Sequence, residues 1–212
     1  LRRRDKGDKP LVPERFIRKM FSHVMNGLRE VHTNKLLHLD LKPANIYLRV
    51  DGTPILLDFG AARQTLKTDL PKLYPMYTPG FAALELYAKN GNLGPWTDIY
   101  SIGASIFACM VGAPPQPADQ RKLNDKMDGH LRKLEGIYSP ELLKVIRWSL
   151  MLDPLERPQS VFALQKALRE PVQEKKAANK LEAMTQKLRG LFASVGKQTS
   201  NTSVPTIQEN SH

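Results

Sequence analysis

Apolar side chains at Phe16, Met20, Val24, Leu28 and Val31 recur every three or four residues, with Pro13 just before them. That spacing predicts a helix over residues 13–34 with one apolar stripe. The pattern then changes period. Residues 45–50 (Asn-Ile-Tyr-Leu-Arg-Val) and 54–58 (Pro-Ile-Leu-Leu-Asp) are short runs of strand formers around Asp51-Gly52, which predicts a β-hairpin. From Gly60 to about Leu84 no period survives among the threonines, prolines and glycines. A long loop ordered by its surroundings is expected there, and such loops inside compact domains are usually functional. Ile99 to Val111 is apolar nearly all round, as in a helix buried at the middle of a helical domain. Residues 140–151 and 159–169 read as amphipathic helices, separated by Asp153-Pro-Leu-Glu-Arg-Pro158, where two prolines force a break. Residues 171–195 form a weaker, basic helical pattern with Leu181, Met184, Leu188, Leu191 and Val195 on one face. Residues 197–212 are polar, rich in Ser, Thr and Asn, and expected to be disordered. The expected fold class is therefore mainly α, with one short hairpin.

Composition narrows this picture modestly. At 212 residues, 41% hydrophobic and 25% charged, the chain has room for one sizeable domain and some tail. The single cysteine, Cys109, has no partner for an internal disulfide and reads as a buried thiol, compatible with a reducing compartment. The most apolar stretch, residues 99–113, is about 15 residues long where a membrane span needs roughly 20. No apolar leader follows the Leu-Arg-Arg-Arg start, so a cytoplasmic location is expected. A chain that starts at leucine suggests a piece of something longer. The net charge of +11 concentrates at the ends. Residues 1–10 carry five basic side chains against two acidic, and residues 165–190 carry seven against three. No aromatic residues interleave with these runs for stacking on single strands, so they read as solvated faces and no nucleic-acid partner is expected.

The candidate chemistry lies in two strings, His38-Leu-Asp-Leu-Lys-Pro-Ala-Asn45 and Asp58-Phe-Gly60. They supply an acid able to take a hydroxyl proton (Asp40), a lysine (Lys42) and two oxygen ligands for a divalent cation (Asn45 and Asp58). Phosphoryl transfer asks a protein for positioning and charge neutralisation, and this set offers both. The strings match the protein-kinase pattern H-R-D-L-x-x-x-N followed by D-F-G. Over roughly residues 11–169 the chain resembles the C-terminal lobe of eukaryotic-like Ser/Thr protein kinases, with a bacterial flavour in Gly80-Phe-Ala-Ala-Leu-Glu85. Thr78-Pro-Gly80 and Ala83-Leu-Glu85 look like the end of an activation segment, with leucine where A-P-E has proline. Asp98-Ile-Tyr-Ser-Ile-Gly103 looks like the start of the family's central buried helix. Arg157 matches the arginine that pairs with the A-P-E glutamate, here Glu85.

The resemblance implies a partial catalytic domain that transfers the γ-phosphoryl of ATP, with Mg2+, to Ser or Thr hydroxyls of a protein substrate. Asp40 and Lys42 would be catalytic, and Lys42, Asn45 and Asp58 would bind the nucleotide and metal. His38, Phe59, Gly60, Thr78, Glu85, Asp98 and Arg157 would be structural or activation-segment residues. Lys42 and Thr78 are similar to the Ser/Thr-specific branch. Two departures stand out. Leu39 replaces the arginine of H-R-D, so activity should depend little on phosphorylation of the loop, despite candidate sites at Thr65, Thr68 and Thr78. No glycine-rich loop, V-A-I-K lysine or helix C glutamate precedes His38, so the ATP-covering N-lobe is expected to be absent from these residues and to act as their missing partner. Taken alone, the 212 residues are then expected to be inactive. The resulting organisation is a basic segment over 1–10, a C-lobe over 11–169, a basic amphipathic helix over 170–196 and a polar tail over 197–212. The competing expectation is a truncated kinase-like scaffold without catalysis. Trp96 and Trp148 are expected in the core.

Overall fold

The computed structural model describes residues 12–59, 62–64 and 77–169. The chain divides into two units, residues 1–169 and 170–212, and every described residue belongs to the first. Gly60, Thr65, Thr68 and the expected segments 1–10, 170–196 and 197–212 lie outside the described residues.

Helix α1 spans Glu14–Thr33, directly after Pro13, whose fixed φ suits a helix start. It ends at Asn34, whose side-chain amide donates to Glu30 O at 2.8 Å, and at Lys35, whose φ of 58° cannot continue the helix. Its buried face is Ile17, Met20, Phe21, Val24, Met25 and Leu28, so Met20, Val24 and Leu28 are buried as expected, Val31 is half-buried, Phe16 is exposed, and Ile17, Phe21 and Met25 widen the stripe. Helix α2, Pro95–Val111, is enclosed from Thr97 to Met110 and forms the centre of the core, in agreement with residues 99–111 being apolar nearly all round. It stops at Gly112, which takes φ 81°. Within it, a Cβ on Gly103 would come within 2.6 Å of Ser149 Cβ, so the bare backbone there lets a following helix approach closely.

That helix, here α5, spans Pro140–Ser149, with Ser139 accepting from Leu142 N at 3.2 Å as its cap. Two six-residue helices precede it, α3 (Ala118–Leu123) and α4 (Met127–Arg132). Helix α6, Val161–Leu168, is capped by Ser160, which accepts from Ala163 N. It lies along α1, where Gln165 donates to Ser22 O at 3.0 Å and to Asn26 Oδ1 at 2.7 Å. Arg18 of α1 donates to Leu168 O, while Glu14 accepts from the Ser139 amide and hydroxyl. The expected break at residues 153–158 is a 3-10 turn, Pro154–Glu156, capped by Asp153.

Two small antiparallel ladders sit at one end of this bundle. β2 (Ile46–Leu48) pairs with β3 (Pro54–Leu56), and Gly52 at φ 79° closes the turn between them. β1 (Leu36–Leu37) pairs with β4 (Arg63–Gln64), tying the entrance of the His38–Asn45 string to the segment after Phe59. Trp148, on α5, is 37% exposed and Trp96, in the first turn of α2, is half-buried, so neither takes the expected core position.

Candidate active site

The loop from His38 to Asn45 leaves β1 through a left-handed residue, Leu39, at φ 64°. A leucine there costs roughly 1–2 kcal/mol relative to the right-handed basin, so something must hold it. The Leu39 side chain is buried with Leu37, Ala82 and Leu86, and the half-buried Tyr77, Tyr87 and Leu93 pack around that group. Where the family pattern has arginine, this chain therefore has an apolar seat shared by the His38–Asn45 loop and residues 77–87. Burial pushes the Tyr87 phenol up to about 12, so it stays neutral. The Leu39 amide donates to Asp98 Oδ1 at 2.8 Å and the His38 amide to Asp98 Oδ2 at 2.9 Å. Asp98, in the first turn of α2, is wholly buried and also accepts from His32 Nε2 at 2.7 Å.

Beyond this turn, Asp40 projects into a compact polar group. Its Oδ2 accepts from Lys42 Nζ at 2.7 Å and from Asn45 Nδ2 at 3.2 Å. Its Oδ1 accepts from the Thr78 hydroxyl at 2.8 Å, and that hydroxyl accepts from Lys42 Nζ at 2.8 Å. Asn45 Nδ2 also donates to Asp40 O at 2.8 Å. The Asn45 amide nitrogen is thus spent on Asp40, which turns its oxygen the other way. Asp40 and Lys42 are 15% and 23% exposed, open enough for a hydroxyl to approach.

The hairpin sets the second half of the site. Leu57 N donates to Asn45 O at 2.9 Å, so the ladder runs on to its open end, and Asp58 comes one residue past that register. Asp58 is solvent-exposed at φ 60°, a left-handed conformation that aspartate tolerates better than most residues. Phe59 lays its ring 4.9 Å from that of His38, and His38 Nε2 donates to Leu57 O at 3.1 Å. The outer face of the hairpin carries Tyr47 opposite Ile55, with Leu57 beyond, and these three are 55%, 39% and 43% exposed.

Glu85 and Arg157 meet elsewhere, against the start of α2. Arg157 Nη1 and Nη2 bond the two Glu85 oxygens at 2.7 and 3.0 Å, and Arg157 also donates to Met151 O, Leu152 O and Trp96 O. Thr97 donates to Glu85 at 2.9 Å, and the Tyr100 ring lies 5.0 Å from the guanidinium carbon. The sequence-predicted residues Asp40, Lys42, Asn45 and Thr78 thus form one cluster, His38, Phe59 and Asp98 support it, and Glu85 with Arg157 stand apart. His32 was not among them. Its signal was only a histidine in the last turn of a helix, which by itself points to nothing.

Among the described residues, no group of three or more His, Cys, Asp or Glu is arranged to hold a metal. The Asn45 oxygen and the Asp58 carboxylate are hard donors of the kind magnesium takes, and that ion draws its remaining ligands from phosphate and water. The pair therefore fits.

Comparison with known proteins agrees with this geometry. The family described as protein kinase domain matches residues 2–172. The chain is 31% identical to serine/threonine-protein kinase C of Synechocystis over 161 residues, covering 72% of this chain and 29% of that protein. It is 29% identical to serine/threonine-protein kinase PknA of Nostoc, covering 74% and 28% respectively. A solved structure described as the apo form of PpkA-294 superposes with a TM-score of 0.61 at 32% identity, covering 73% of this chain and 54% of that one. The chain thus spans less than a third of the length of these curated relatives. The family match extends over most of the sequence and includes the whole cluster around Asp40: the chain belongs to the protein kinase domain family.

Proposed function

We propose that this lobe carries the phosphoryl-transfer half of a Ser/Thr protein kinase that uses ATP, with Asp40 as the proton acceptor. The observation that carries the reading is the Asp40 carboxylate held by Lys42, Asn45 and Thr78 at the mouth of the hairpin. A substrate Ser or Thr hydroxyl replaces the Thr78 hydroxyl or lies beside it and passes its proton to Asp40. Its oxygen bonds to the γ-phosphorus as the bond to the bridging oxygen breaks, and ADP leaves with the electron pair. Lys42 neutralises charge on the group in flight. Asn45 and Asp58 hold the magnesium ion, which when bound offsets the negative charge of the phosphates. Tyr47, Ile55 and Leu57 offer an apolar floor next to those ligands, suited to the flat face of a purine. The cover over that floor is a second lobe, the partner this reading requires. ATP as donor is consistent with a cytoplasmic setting. No observation favours the non-catalytic scaffold.

The test is ATP-dependent phosphorylation of Ser/Thr peptides by the intact protein, beside the Asp58→Ala variant and the 212 residues alone. Transfer by the intact protein that is lost in Asp58→Ala is expected, with little from the 212 residues. Magnesium-dependent transfer that ignores Asp58→Ala, or brisk turnover by the 212 residues, contradicts the reading.

A further inference from the structure

We infer that Tyr77 is a positioning residue whose ring, stacked on Tyr87, sets Thr78 beside Asp40; this rests on the reading of Asp40 given above. The two rings have their centroids 4.5 Å apart and their planes tilted by 44°, an arrangement that aromatic pairs favour. Both pack into the apolar seat of Leu37, Leu39, Ala82 and Leu86. Leu39 completes that apolar bed, where a longer charged side chain would have to find a partner. Tyr87 is the fixed member of the pair. It ends the 3-10 turn Leu84–Tyr87, which Glu85 ties to Arg157. Among the described residues it alone packs against both the seat and the main helical core. Its phenol meets the start of α3 beside Ala118 and Asp119.

Thr78 takes its place from that stack. Its hydroxyl donates to Asp40 Oδ1 and accepts from Lys42 Nζ, each at 2.8 Å. On its C-terminal side, the Thr78 carbonyl accepts from the amides of Phe81 and Ala82 at 3.0 and 3.1 Å, and Ala82 is buried in the seat. On its N-terminal side stands Tyr77, rooted in the same seat. Thr78 is thus carried between two points on one apolar surface, and one of those points is a stacked ring. Hydroxyl–carboxylate hydrogen bonds hold over roughly 2.5–3.0 Å, so a shift of about 1 Å at Thr78 uncouples it from Asp40 and Lys42 together. Without the Tyr77 ring, Thr78 keeps only its downstream support, and Asp40 and Lys42 lose the hydroxyl that aligns them. The loss should fall on the chemical step and spare nucleotide binding, since the seat includes none of the residues assigned to ATP or magnesium.

The experiment uses the intact protein with Tyr77→Ala, Tyr77→Phe, Thr78→Ala, and Tyr77→Ala combined with Thr78→Ala. Peptide phosphorylation is read together with hydrogen exchange at the Phe81 and Ala82 amides, the α6 amides serving as internal control. Tyr77→Ala should lower kcat about tenfold while KM for ATP stays within twofold. It should also speed exchange at the two amides at least tenfold with α6 unchanged. Tyr77→Phe, which keeps the ring, should stay within twofold of the unmodified protein in every readout. In the Thr78→Ala background, Tyr77→Ala should cost less than a further twofold in kcat, because a residue acting through Thr78 then has no hydroxyl to place. The unmodified protein should show NMR cross-peaks between the Tyr77 and Tyr87 rings, which covers the case in which Tyr77→Ala fails to fold. Near-normal kcat in Tyr77→Ala, a Tyr77→Phe variant as impaired as Tyr77→Ala, or a tenfold loss that persists without the Thr78 hydroxyl each overturns the inference. So does unchanged exchange at Phe81 and Ala82, or the absence of ring-to-ring cross-peaks. If the unmodified protein shows no Asp40-dependent transfer, the proposed function fails, while exchange and the cross-peaks still decide whether Tyr77 holds Thr78.

Discussion

Two groups of charged residues in this lobe use similar chemistry to opposite ends. Glu85 and Arg157 are 7% and 0% exposed, and their hydrogen-bonding groups are met by each other, by Thr97 and by backbone carbonyls. Asp40 and Lys42 are also paired at 2.7 Å, but at an open edge, on a loop that passes through a left-handed leucine. The saturated pair has no capacity left for a ligand and can only hold elements together. The open pair keeps its groups near solvent, where, in the function proposed above, a substrate exchanges for Thr78. The difference teaches that saturation and access, more than the presence of an ion pair, separate an anchor from a pair able to meet a ligand.

The contrast can be broken from either side. Asp40→Asn removes the proton acceptor and should lower kcat by about 10²- to 10⁴-fold, with thermal stability unchanged or slightly raised. A large drop in melting temperature would instead make Asp40 a structural group. Arg157→Leu leaves the Glu85 carboxylate buried and unpaired, which should cost roughly 3–5 kcal/mol, or about 6–20 °C in melting temperature. Activity of the fraction still folded should be near normal. Lost turnover at full stability would show that the anchor acts in catalysis.

A pair of intermediate openness refines the scale. Burial alone would raise the Glu14 carboxyl, but the hydroxyl and amide of Ser139 and the guanidinium of Arg18 outweigh it and hold it below the ordinary value of 4.5. A depressed carboxylate stabilises the fold above its unfolded value and loses that contribution as pH falls through the folded one. Glu14→Gln should therefore cost about 1 kcal/mol at neutral pH and nothing once pH is well below 4.5, as read by urea unfolding at both. A cost that persists in acid would point to packing, not charge. At the far end, Arg147 and Asp128 are 44% and 66% exposed, and Arg147→Ala should change stability by about 0.5 kcal/mol or less.

Much of the frame was legible in the sequence because it depends on neighbours along the chain. The Asp51-Gly52 turn, the nearly all-apolar run of α2, and the proline and serine starts of α5 and α6 are local signals, and the elements formed where they pointed. Helices α3 and α4 were missed because six residues hold less than two turns, too few to show a period. The β1–β4 ladder was missed because two-residue strands pair across more than twenty positions. In the site, the two strings named Asp40, Lys42, Asn45 and Asp58 directly. The Thr78–Asp40 and His32–Asp98 bonds are tertiary, joining residues 38 and 66 positions apart, and no short motif carries them.

The lacing of α1 to α6 carries one more consequence, for synthesis. Arg18 and its acceptor at Leu168 are separated by 150 positions, and Gln165 reaches Ser22 across 143. At roughly 5–20 residues per second, a ribosome needs on the order of 8–30 s to deliver α6 after α1 has emerged. Through that interval Ile17, Phe21 and Val24 await the elements that enclose them. Until residue 168 has been made, α1 thus keeps a sticky face uncovered on its α6 side, a face that a chaperone could shield.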